Sequence, residues 1–152
     1  MLDNEQLKRY IYEMYRYTIE LVNEGHITRA DVDDKRKDAN ADADMWVERY
    51  GDRLSKSAKE DLHIAVFGLH FASFVRNLRI KLVQIKMDSP DWFHHVKRSV
   101  NDDGTVSIVA DYKINRLNNL HQLFSSCADS IIDMAWASHG FIGVRHGIYP
   151  RG

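Results

Sequence analysis

Glu60 and His63 stand three residues apart in this chain, and so do Asp91 and His94. On a helix that spacing puts a carboxylate and an imidazole on one face. Helical bundles with a di-metal carboxylate centre present ligands in this way and draw further carboxylates from neighbouring helices. Glu13 and Glu20, in an earlier helical stretch, are the candidates for that contribution. Such a site would make the chain a metal-dependent helical-bundle enzyme of the ferritin-like kind. The pattern is incomplete. The second pair has Asp in place of Glu and follows Pro90 in a short segment, and Glu60 has a structural use as the capping-box partner of Ser57. The eight histidines then read as partly exposed residues with wet polar tips. No metal, no cofactor and no catalytic residue are expected.

A second chemistry is suggested by Arg76, Arg79, Lys81, Lys86, Lys97 and Arg98, which share a stretch with Trp92, Phe93, His94 and His95. Cations can contact phosphates while an aromatic ring stacks on a base. Against this, the formal net charge is −1, and no helix-turn-helix spacing is present. A nucleic-acid-binding regulator is therefore the third reading. The residues that could meet a partner are Arg76, Arg79, Lys81, Trp92, Phe141, Arg145 and Tyr149.

Other chemistries leave no trace. No histidine precedes an aspartate, and HExxH, CxxC, GxSxG and a phosphate-cradling glycine loop are all missing. Asp38, Asn40, Asp42 and Asp44 alternate like the start of a calcium loop, but Ala43 stands where a glycine must turn and Arg49 where a glutamate must close the cage. The lone cysteine, Cys127, excludes an intramolecular disulfide and sits in an apolar run as a small core residue.

The elements that would position these residues are helical. Ile64, Phe67, Phe71, Val75, Leu78, Leu82 and Ile85 recur at three- and four-residue steps between Ser57 and Met87. Leu62, Ala65, Val66, Leu69 and Phe74 widen that stripe, which predicts a central helix packed on several sides. Ala65, Gly68 and Ala72 leave one flank open to a close helix neighbour. An earlier helix opens at an Asp3/Gln6 capping box and stops near Gly25. A second begins at Thr28 with Asp31, passes through a charged and alanine-rich middle, and stops near Gly51. Asp88, Ser89 and Pro90 end the central helix, and a short helix is expected through Trp92, Phe93 and Val96. Asn101 to Gly104 form a turn between Val96–Val100 and Thr105–Ala110, a small hairpin. The last long helix starts near Asp111 and stops at Gly140.

The predicted fold is mainly α, a bundle of four or five helices with one small β-hairpin. It has a single helical domain over residues 1–139, with the hairpin near 95–110 and an irregular apolar docking tail over 140–152. Phe141, Ile142, Val144, Ile148 and Tyr149 are too apolar for that tail to stand in water.

Residues 1 to 61 hold 11 Lys or Arg against 15 Asp or Glu, and residues 62 to 152 hold 10 against 7. This asymmetry suits association between protein surfaces. The functional expectation is a non-enzymatic protein-binding or assembly factor, acting as a homo-oligomer with a protein partner and no membrane. The lack of an apolar leader and of a disulfide framework points to the cytoplasm. In form, though not in residues, it matches small factors encoded by viruses and mobile elements.

Overall fold

Asp3 accepts a hydrogen bond from the Gln6 backbone N–H at 2.9 Å, and the Gln6 side chain accepts one from the Asp3 N–H at 3.0 Å. This reciprocal cap opens α1 (Asn4–Asn23) in a computed structural model that describes residues 3–87, 97–100, 102–104, 106–109, 112–138, 141–142 and 149–150. Leu7, Met14, Tyr17, Thr18 and Leu21 form its buried stripe. Gly25 then turns the chain at φ +80°, a backbone conformation that costs glycine nothing. Thr28 and Asp31 repeat the reciprocal cap at the start of α2 (Arg29–Tyr50).

Only Ala39, Ala43 and Tyr50 of α2 are buried, and its charged middle remains helical with the charges turned outward. Ile27, Val32, Trp46 and Val47 pack on the core, and Tyr50 lies between Trp46 and Trp136 with ring centroids 5.7 Å from each. After a 3-10 turn at Gly51–Arg53, Leu54 is extended and Ser55 caps the next helix, its hydroxyl accepting from the Ala58 N–H at 3.2 Å. The expected Ser57/Glu60 box gives way to a one-way cap two residues earlier: the extended backbone at Leu54 places Ser55 at the cap and Ser57 within the first turn.

The helix it opens, α3 (Lys56–Met87), has 32 residues and spans about 48 Å at 1.5 Å per residue. Leu62, Ala65, Val66, Phe67, Phe71, Ala72 and Val75 are buried along it. Cross-contacts give the direction of its neighbours. Tyr15 of α1 packs at a tilt against Phe67 and Phe71, Asp44 and Lys35 of α2 meet His63 and Phe74, and the α4 helix (Tyr112–Ser138) brings Phe124 against Gly68. The helices run up, down, up and down, with α3 touching the other three.

At the α1–α4 seam, Arg116 donates to both oxygens of Glu13 at 2.7 and 2.8 Å, and Lys113 pairs with Glu20. The architecture is mainly helical, four helices packed together, and none among the described residues is long and apolar enough to cross a membrane. Beside the helices, β1 (Lys97–Val100) pairs antiparallel with β2 (Val106–Val109), Lys97 facing Val109 and Val100 facing Val106. β3 (Phe141–Ile142) pairs antiparallel with β4 (Tyr149–Pro150). The short helix expected through Trp92, Phe93 and Val96 falls outside the described residues.

Candidate functional site

Alanine is the reason α2 and α3 leave a groove between them. Ala39 is buried and Ala41 exposed on α2, and neither has the bulk to fill the space that opens towards the C-terminal half of α3. The groove has a volume of about 850 Å³. Its floor is Ala39 and Phe71, 3% and 1% exposed, and Phe74, Leu78 and Ile80 supply apolar wall. Lys35 reaches over the Phe74 ring, its Nζ 5.5 Å from the centroid, a cation–π contact.

Charge is arranged in order along this groove. At one end Asp42 lies 3.4 Å from His70, followed one turn along α2 by Asp38, then Lys35, with Lys81 on α3 at the other end. Behind His70 on the α4 side is His121. Burial lowers the His121 pKa, and the Arg76 and His70 charges lower it further.

The three expected partner-binding residues on α3, Arg76, Arg79 and Lys81, meet different surroundings. Arg76 is half-buried and acts on His121. Arg79 is only 7% exposed, which leaves little of it for the partner it was expected to meet: it lies towards α4, where its charge opposes that of Lys113. Only Lys81 of the three is exposed, and it lines the groove. Phe141 and Tyr149 sit in β3 and β4, whereas Trp92 and Arg145 lie outside the described residues.

The metal candidates on α1 and α3 already have polar or charged neighbours. His63 bonds to Asp44 at 2.9 Å, and exposed Glu60 shares with it a hollow that also holds Lys8 and Lys59, cations that oppose a metal ion. Glu13 and Glu20, the proposed additional carboxylates, are taken by Arg116 and Lys113. Arg116 beside Glu13 holds that carboxyl below its usual range against the opposing effect of burial. Asp91 and His94 lie outside the described residues, and among the described residues no three His, Cys, Asp or Glu side chains converge.

The groove was not among the sites read from the sequence. Its one signal there is the alternation of alanine and charge from Asp38 to Asp44, which resembles any solvated helix face until a second helix is placed beside it. No protein-family model, no curated protein and no solved structure matches this chain.

Proposed function

We propose that this protein is a non-enzymatic protein-binding factor that receives an amphipathic helical segment in the groove between α2 and α3. The observation that carries the reading is the groove's cross-section, an apolar floor of Ala39, Phe71 and Phe74 between rims of Lys35, Asp38, Asp42 and Lys81. Its open, half-polar form differs from the enclosed apolar cavity that buries a small ligand. It has the form of a helix-in-groove site, where apolar anchors enter the floor and flanking charges fix register. The rim charges contribute specificity and encounter rate more than affinity.

The test is a photo-crosslinking amino acid placed at Asn77, exposed in the groove, and separately at Met134, exposed on α4. Adducts formed in the producing cell are identified by mass spectrometry. The expected result is attachment from position 77, and not from 134, to one identified protein through one amphipathic segment. No protein adduct from 77, or the same adducts from both positions, overturns the reading.

A further inference from the structure

Charge changes sign once along the groove. α2 and α3 run antiparallel, and two contacts tie them together here: Asp42 lies 3.4 Å from His70, and the Lys35 Nζ lies 5.5 Å from the Phe74 ring centroid. Between these contacts α2 presents Asp38, and beyond the second α3 presents Lys81. The order is Asp42, Asp38, Lys35, Lys81, two acids followed by two bases. A protonated His70 offsets only one of the two acids, so that end stays negative. Among the described residues, neither Asp38 nor Lys81 has an ion-pair partner within the chain, which leaves both charges to an occupant.

The separation of the charged ends sets the size of what fits. Counted along α3 from His70, or along α2 to Lys35 and then along α3 from Phe74, Asp42 and Lys81 lie about 16 to 21 Å apart at 1.5 Å per residue. A helix of about 11 to 14 residues covers that length. Such a short helix is marginal in water, so its own charges decide which sequence forms it well. Acidic residues stabilise the first turn and basic residues the last, because each opposes the partial charge of the helix end.

Only one orientation lets those same side chains meet the groove. The acidic first turn then lies beside Lys35 and Lys81, and the basic last turn beside Asp38 and Asp42. In the opposite orientation the bases that meet the two aspartates would crowd the occupant's own positive end. The favoured orientation does turn the helix ends towards like charges of the groove, but those ends carry about half a unit each, and the side chains between carry whole charges.

We infer that the occupant is a helix of a partner protein, about 11 to 14 residues long, with an acidic first turn, an apolar stripe set on Phe71 and Phe74, and a basic last turn. It runs parallel to α2 and antiparallel to α3. This rests on the reading of the groove as a helix-binding site and adds the partner's charge pattern and direction.

The experiment places the photo-crosslinking amino acid at the two ends of the groove, at Ala41 beside the acids and at Gln84 beyond Lys81, both exposed. Adducts formed in the producing cell are mapped to the residue by mass spectrometry. Position 84 should attach near the acidic N-terminal end of one segment, and position 41 near the basic C-terminal end of the same segment. That segment, synthesised as a peptide, is then the probe for affinity. Asp38→Lys combined with Asp42→Lys should weaken its binding by about tenfold or more, which corresponds to about 1.4 kcal/mol or more, with helical content unchanged by circular dichroism. A peptide whose basic residues are exchanged for glutamate should recover the loss.

Attachment in the reverse order, attachment from one end alone, or a segment without opposite charges at its ends overturns the inference, whether that segment comes from another protein or from a second copy of this chain. So does a double variant that binds the peptide as well as the wild type does, or a loss that the altered peptide fails to recover. The broader reading is separable: it stands on the adduct from position 77 whichever way the segment runs, and both fall if no position in the groove gives one.

Discussion

The Phe124 ring of α4 occupies the place where a side chain on Gly68 of α3 would begin, and a Cβ built there would lie 2.5 Å from ring carbon Cε1. Phe124 is fully buried, so the ring has no solvent-filled space into which to swing. The missing side chain is what brings the two helices together along the central seam.

Gly68→Ala sets two effects against each other. Alanine gains about 1 kcal/mol of helix propensity over glycine, while forcing a group into a packed seam costs roughly 1 to 3 kcal/mol. With three ring atoms within 2.7 Å of the new carbon, packing should win and the variant should be less stable in urea melts. Adding Phe124→Leu should recover part of the loss. A gain in stability from Gly68→Ala would show that the seam yields.

Phe71 is the second point where the core can be probed. It is 1% exposed and its ring lies 5.1 Å from Tyr15, 5.6 Å from Phe67 and 5.9 Å from Phe74. Phe71→Ala should cost about 3 to 5 kcal/mol, the range for a buried aromatic. It also removes the floor of the groove. A loss below about 1 kcal/mol in a denaturant melt would contradict the burial described for α3.

These two residues also show what the sequence discloses. Phe71 belongs to a helical stripe, and periodicity alone places it in the core. Gly68, with Ala65 and Ala72, signals close approach, but only the structure shows that the approaching residue is Phe124. Arg79 shows the opposite case. A basic residue at the edge of an apolar stripe reads as solvent-facing until another helix is laid over it, and α4 is laid over this one. The groove was hidden for a related reason. Its floor and rim come from two helices, and neither helix's own pattern shows which of its residues the other will face.

The α1–α4 seam should be sensitive to acid through Glu13. Its folded pKa is lowered from 4.5, mainly by the hydrogen bond from Arg116. Folding therefore favours the charged form, and that contribution is present above pH 4.5 and is lost as pH falls through the lower folded value. Arg116→Met should cost about 1 kcal/mol near neutral pH, as partly exposed pairs do, and should flatten the acid limb of stability. Urea midpoints from about pH 7 down to about pH 3 check this. An acid limb unchanged in the variant would show that Glu13 gains nothing from its partner.

His121 should act in a window that opens at higher pH. Its folded pKa lies below 6.5 because burial disfavours the imidazolium, with Arg76 and His70 on α3 adding like charge. Below 6.5 the unfolded chain takes up a proton more readily than the folded one. The stability that neutral His121 provides is therefore complete above pH 6.5 and declines as pH falls through the folded value. His121→Gln removes the titration and should flatten the decline of stability that begins below pH 6.5. Arg76→Gln should act in the same direction but less, since it relieves one charge and leaves the burial. Both are read from urea midpoints, and the His121 ring resonance in NMR gives the titration itself. A wild-type His121 that titrates at or above 6.5 removes this account of the α3–α4 seam.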